Sequence, residues 1–313
     1  MPLVNTKKIL EGAYWGKYAV GAFNINNMET IQGITAACSK LRSPAILQVS
    51  PGAIKYSGPT YLAKLVEAAT LTHPDLPLAF HLDHGVSFDI CKDCIDKGFT
   101  SVMIDGSDLD YEENIYLTKS VVDYAHARGV TVEGELGRIS GMEDKINTTS
   151  GDSFYTEPAQ TEDFVKRTGV DSLAIAIGTS HGVYKFKNKQ ELRLRFDILE
   201  EIQKKIPGFP IVLHGSSSVN QGVVEDINKF GGKIQYAIGI PENVLNEISK
   251  TAVCKINIDS DLRLAITATI RKYLIFDHPT EFDPRGYLGM ARKAVEMLVS
   301  HKIKKILGSE NKI

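Results

Sequence analysis

Eight short runs of apolar and β-branched residues recur along the chain, at 18–24, 45–50, 77–83, 101–105, 131–135, 172–177, 210–213 and 254–259. Most are continuously apolar rather than alternating, as strands covered on both faces are. Amphipathic stretches with helical spacing lie between them. Residues 28–41 carry Ile31, Ile34, Thr35 and Cys38 at such spacing, and residues 112–128 carry Ile115, Leu117, Val121, Val122 and Ala125. Residues 191–206 carry Leu192, Leu194, Phe196, Ile198, Leu199 and Ile202, and 261–274 with 289–306 supply a helical C-terminal end. Eight strand–helix alternations predict an α/β fold, a (β/α)8 TIM barrel rather than an open sheet. Residues 1–313 contain no low-complexity linker and read as one domain. One connection stands out. Residues 138–160, rich in Gly, Ser, Thr, Asp and Pro, follow the fifth run. A structureless loop of that length is expected to be a lid, and its position hangs it over the C-terminal rim of the barrel.

The same rim collects the polar residues. The dipeptide His-Gly occurs three times, at His84-Gly85, His181-Gly182 and His214-Gly215, each directly after an apolar run. Strand C-terminal ends are where barrels place ligands and catalysts. Three imidazoles on one rim suit a zinc ion with an open position, acting as a Lewis acid. The other strand ends add Asn24, Ser50, Asp83, Asp105, Glu135, Asn257 and Asp259. Glu135 is a candidate outer or alternative ligand. Asp83, beside His84, reads either as a general acid/base or as support for a ligand. After the seventh run comes Gly215-Ser216-Ser217-Ser218, and after the eighth Asn257-Ile258-Asp259-Ser260-Asp261. Loops in these two places commonly cradle a phosphate with backbone N–H groups and hydroxyls, and Lys185 can add a cation. A Schiff-base lysine is missing from the sixth run, and Lys255 lies at the start of the eighth, the wrong end for that chemistry.

Composition narrows the classes further. An apolar fraction of 43% and a charged fraction of 24% are those of an ordinary globular protein. A net charge of −2 supplies no basic field for nucleic acid. No apolar run approaches the roughly 20 residues of a membrane helix. Residues 1–12 lack a signal-peptide apolar core, and four cysteines do not suggest a disulfide framework, so a cytoplasmic location is expected. Cys91-Lys92-Asp93-Cys94 falls within a predicted helix at 87–97 rather than at a helix start. There one thiol is expected to pack inward and the other to be incidental.

In order along nearly the whole chain, His81-Leu82-Asp83-His84-Gly85, Glu133-Gly134-Glu135-Leu136-Gly137, Gly178-Thr179-Ser180-His181-Gly182, Leu213-His214-Gly215-Ser216-Ser217 and Lys255-Ile256-Asn257-Ile258-Asp259 resemble the motif series of class II, zinc-dependent fructose-1,6-bisphosphate aldolases. The resemblance implies that His84, His181 and His214 hold Zn²⁺ with Glu135 close by. It implies that Asp83 exchanges the proton of the C4 hydroxyl. Zn²⁺ would polarise the dihydroxyacetone-phosphate carbonyl and stabilise the enediolate, with Asn257 hydrogen-bonding to it. Gly182, Lys185, Gly215, Ser216, Ser217 and Ser260 would lie about the C1 phosphate. Asn24, Ser50 and an arginine of a neighbouring subunit, matched by Arg263 or by Arg285 of Asp283-Pro284-Arg285, would meet the far end of the substrate. A monovalent cation, Na⁺ or K⁺, near Gly182 and Gly215 and a homodimer or homotetramer are also implied. The lid departs from the family pattern at Ser140 and Met142, and aligning Gly141 puts the loop base, for the C1 proton of dihydroxyacetone phosphate, at Glu143 rather than Asp144. Asp259 favours fructose over tagatose bisphosphate, because the similar tagatose enzymes tend to carry a small residue there. A metal-dependent phosphosugar isomerase or epimerase is the alternative of a different class. A non-catalytic phosphosugar-binding barrel fits less well with so many carboxylates suited to proton transfer.

Overall fold

The computed structural model describes residues 3–143, 146–148, 155–181, 194–235 and 237–313, with the backbone alone described for 140–143, 146–148 and 181. In chain order the strands are β1 (Val20–Asn24), β2 (Ala45–Val49), β3 (Leu78–Gly85), β4 (Ser101–Ile104), β5 (Thr131–Leu136), β6 (Ser140–Glu143), β7 (Ile146–Thr148), β8 (Ser172–Ile175), β9 (Ser180–His181), β10 (Ile211–Leu213) and β11 (Val253–Ile258). The helices are α1 (Thr6–Gly16), α2 (Met28–Lys40), α3 (Pro51–Ser57), α4 (Pro59–Thr72), α5 (Phe88–Asp96), α6 (Tyr111–His126), α7 (Pro158–Thr168), α8 (Phe196–Lys205), α9 (Gln221–Lys229), α10 (Glu242–Ile248), α11 (Ser260–Lys272) and α12 (Pro284–Lys302). The strands β1, β2, β3, β4, β5, β8, β10 and β11 close in that order into a parallel barrel. This is the (β/α)8 barrel that the runs predict.

The barrel strands are buried along both faces, which is why their sequences do not alternate. Helices start immediately beyond the C-terminal strand ends because those positions carry capping residues. Asn27 accepts the Thr30 N–H, Ser50 the Ala53 N–H, and Ser87 the Ile90 N–H. Pro51 then opens α3 at a position where its missing N–H costs nothing. The N-terminal helix α1, which the sequence pattern did not distinguish, closes the opposite end. Ile9, Leu10 and Ala13 pack there with Val20, Ala22, Ile46, Ala79 and Cys254. The apolar plug leaves the C-terminal mouth as the face where polar side chains gather.

Two expectations are corrected. The segment 138–160 is not wholly structureless. β6 and β7 pair antiparallel, and β6 joins β9 in parallel with Gly141 opposite His181. Gly, Ser and Thr in that stretch were read as loop formers, whereas the ladder between them is set by partners distant in sequence. Both thiols of the Cys91/Cys94 pair are buried, not one. Burial raises both above the ordinary thiol value, Cys94 to about 12, so neither is a reactive thiolate.

Candidate active site

Strand periodicity sorts the inward-facing residues into pairs two apart. His81 and Asp83 on β3, Glu133 and Glu135 on β5, and Lys255 and Asn257 on β11 are all buried. By the same rule His84 would face away from Asp83. It does not, because β3 ends irregularly. The register against β4 shifts between Leu82 and Gly85, and His84 takes φ +52°, the left-handed region. That conformation is unfavourable for a residue with a Cβ and is held by its surroundings. It lets consecutive residues serve one site. Gly85 behind it leaves no room for a side chain, since a Cβ there would lie 2.6 Å from the Met103 carbonyl oxygen.

His84 and His214 meet ring nitrogen to ring nitrogen, with Nε2 of one 2.9 Å from Nδ1 of the other. Each ring is steadied on its far side by a carboxylate. Asp105 Oδ2 lies 3.1 Å from His84 Nδ1, and Glu133 Oε1 lies 2.8 Å from His214 Nε2. Asp83, His84 and His214 can each bring one ligand atom within 4.8 Å of the others, as can His84, Asp105 and Glu135. His181 is in β9, at the same loop cluster. Gly215, after His214, has φ +60°, and a Cβ on it would sit 2.7 Å from the Ser180 backbone. Only glycine lets β10 approach β9 so closely.

Asp83 is fully buried and accepts three amide N–H groups. Asn24 and Gln48 donate to Oδ2 and Asn257 donates to Oδ1, each at 3.1 Å. Gln48 also donates to the Asn24 side-chain oxygen at 2.6 Å. These residues meet because β1 and β2 pair with Asn24 opposite Gln48. The carboxylate is thereby held in a fixed orientation beside His214.

The charges below the histidines are as ordered. Lys255 Nζ, inside the barrel, lies 2.9 Å from Glu133 Oε2. Burial alone would raise the Glu133 carboxyl, but Lys255, His214 and His81 hold it well below the usual carboxylate range. Asp105 is likewise depressed, burial being outweighed by His84 and Ser107. Glu135 goes the other way. Burial, reinforced by the charges of Asp105, Glu133 and Asp83, pushes it well above the usual value despite His84. His214 is lowered, chiefly by burial, which keeps a lone pair available for a metal.

A divalent metal ion fits this residue set. Three fully buried carboxyls, Asp83, Glu133 and Glu135, share the site with the Lys255 cation. The Glu135 Oε2 and Asn257 Oδ1 atoms are buried without a hydrogen bond among the described residues. A dication beside His84 and His214 would compensate the surplus negative charge and give Glu135 a reason to ionise.

The remaining sequence candidates are placed as follows. Ser217 and Ser260 line the two loops after β10 and β11 and are buried. Ser216 donates its hydroxyl to the Leu213 and Asn257 carbonyls, which ties β10 to β11. The Ser50 hydroxyl caps α3. Asp259 is paired with its own Arg263, with 2.8 Å from Nε to Oδ1. Arg285 is exposed at the start of α12 and paired with Asp283. Gly182 and Lys185 lie outside the described residues, as does Asp144. Glu143 is the last residue of β6 and described by backbone only. Sequence reading gave no role to Gln48, Glu133 or Asp105 and set Lys255 aside. The period-two rule was the available signal, since Glu133 and Lys255 stand two residues before Glu135 and Asn257.

The sequence profile of the family described as "Fructose-bisphosphate aldolase class-II" matches residues 4–312. A fructose-bisphosphate aldolase of Treponema pallidum is 53% identical, covering 98% of this chain and 96% of the relative. One of Giardia intestinalis is 51% identical over 97% of this chain and 93% of the relative. Among solved structures, the YdjI aldolase of Escherichia coli K12 superposes with a TM-score of 0.78 at 28% identity, covering 99% of both chains.

Proposed function

The chain belongs to the class II, metal-dependent fructose-bisphosphate aldolases, and on that footing we propose how its own residues carry out the reversible cleavage of fructose 1,6-bisphosphate to dihydroxyacetone phosphate and glyceraldehyde 3-phosphate. His84, His181 and His214 hold a zinc ion, with Glu135 as an alternative ligand. When bound, the ion supplies a Lewis acid that polarises the ketose carbonyl. The observation that carries this reading is the nitrogen-to-nitrogen approach of His84 and His214 beside a buried carboxylate.

Asp83 takes the proton from the C4 hydroxyl as the C3–C4 bond breaks, and its three amide donors keep it aimed. Asn257 turns from Asp83 to the oxygen of the enediolate. Glu143, on the ribbon hydrogen-bonded to β9, returns a proton to the carbon that was C3. The loops bearing Gly182, Gly215, Ser217 and Ser260, with Lys185, hold the C1 phosphate, and Ser216 holds those loops together. Asn24, Ser50 and Asp259 meet the remainder of the sugar, and Arg263 or Arg285, contributed by a neighbouring subunit of a homodimer or homotetramer, reaches the far end of the substrate. A monovalent cation binds near Gly182 and Gly215. The reaction so read is one of glycolysis and gluconeogenesis, and the location proposed with it is the cytoplasm. Among the described residues no helix is long and apolar enough to cross a membrane.

A coupled assay with fructose and tagatose bisphosphates, with and without chelator, tests the reading. Triose phosphate release from the fructose substrate, abolished by chelation and restored by zinc, is expected. An isomeric hexose or ketose bisphosphate without triose phosphates would replace this reading with isomerase or epimerase chemistry.

A further inference from the structure

The two loops assigned above to the C1 phosphate are fastened from behind by a residue far away in sequence. Lys302, the last residue of α12, is buried, and its Nζ lies 2.7 Å from Asp261 Oδ2 and 2.5 Å from Ser218 Oγ. Asp261 is the neighbour of Ser260 at the start of α11. Its carboxylate accepts the backbone N–H of Ser218 at 3.0 Å and that of Val219 at 2.8 Å. Glu242 is a second, more distant partner, its Oε1 3.5 Å from Lys302 Nζ and 3.4 Å from Ser218 Oγ, but the close Lys302–Asp261 pair is the one that grips the ends of both loops.

The gripped turn would not hold its shape unaided. Val219 is buried with φ +50°. A β-branched residue is a strong outlier in that region, so the surroundings must over-determine it. The two N–H groups on Asp261 are part of that determination. Gly239 packs directly against the same turn, where a Cβ would lie 2.3 Å from the Ser218 backbone. Asp261 stays ionised although buried, because Lys302 outweighs the burial. An ion pair serving stability alone has no need to force a valine into the left-handed region.

We propose that Lys302 is a positioning residue for substrate phosphate: acting through Asp261, it holds the strained Ser218–Val219 turn and the start of α11 so that Gly215, Ser217 and Ser260 present one anion cradle. The proposal rests on the reading of those loops as the C1 phosphate site. Lys302 touches neither substrate nor metal, so its loss acts on affinity and leaves the bond-breaking step intact.

The test is the Lys302→Met variant of the zinc-loaded full chain, assayed for cleavage of fructose 1,6-bisphosphate. KM should rise about tenfold or more while kcat changes by less than about threefold, the pattern of lost uniform binding. Zinc content should match the wild type. Adding Val219→Gly to Lys302→Met should recover most of the lost affinity, because glycine adopts φ +50° without a clamp. If Lys302→Met does not fold, Lys302→Met/Asp261→Asn removes the pair as a unit and carries the same expectations. An unchanged KM, or no recovery with glycine, overturns the proposal. Ser217→Ala separates the two levels. If it raises KM while Lys302→Met does not, the clamp is wrong and the cradle stands. If neither raises KM, the phosphate site itself is wrong and the clamp falls with it.

Discussion

Glu133 stands between Lys255 and His214, one carboxylate oxygen 2.9 Å from the ammonium and the other 2.8 Å from the imidazole Nε2. The lysine keeps the carboxylate ionised, and the carboxylate fixes the ring so that Nδ1 faces His84. Glu133→Gln keeps the shape and removes the charge. Its zinc affinity should fall by roughly 10–100-fold, the usual effect of a carboxylate behind a ligand histidine. Competition with a chelator measures it. Wild-type affinity would mean that packing alone orients His214.

Asp83→Ala should retain zinc and lose cleavage by roughly 10²–10⁴-fold, the contribution of a positioned general acid/base. Zinc content by atomic absorption and steady-state rates decide the matter together. Loss of zinc with loss of rate would make Asp83 a support for His84 rather than a proton carrier.

The lid base is separable from the rest of the chemistry. Detritiation of labelled dihydroxyacetone phosphate, with no aldehyde present, isolates one proton transfer. Glu143→Ala should abolish exchange and leave zinc bound. Exchange that persists in Glu143→Ala but stops in Asp144→Ala would move the base by one residue. Exchange untouched by either change would remove the lid from the chemistry.

Acid should weaken the fold partly through Asp261. Its folded-state pKa lies below the unfolded value, near 3.9 for aspartate. The stabilisation is therefore complete above that value and is lost as pH falls through the folded-state pKa. Urea midpoints between pH 2 and 6 should fall more steeply for the wild type than for Lys302→Met/Asp261→Asn. Parallel slopes would show that Asp261 contributes nothing to acid stability.

Much of this was legible in the sequence. All eight barrel strands lie where the apolar runs put them, because burial on both faces writes itself as uninterrupted hydrophobicity. The sequence also named Asp83, His84, Glu135, His214 and Asn257, which the fold brings to one mouth. The interior charges were harder. Lys255 looked misplaced because its distance along the strand was weighed and its parity was not. Gln48 sits in an apolar run and has no chemical signature until register sets it against Asn24. Helix α1 carries an ordinary amphipathic pattern, and its use as a barrel plug depends on partners from four separate strands, β1, β2, β3 and β11. The pairing of β6 with β9 is equally non-local.

The left-handed turn at His84 bears on how such a site could be transplanted. A regular strand is a two-phase object, and copying Asp83 and His84 onto one would send one of them outward. What the barrel stores at this point is a reset of phase, carried by the His84 backbone and by the shifted register beside Gly85. The identities of the two side chains are the easier half of the information. A scaffold that supplies the phase reset could accept other acid–ligand pairs, whereas one that lacks it would misplace even the native pair.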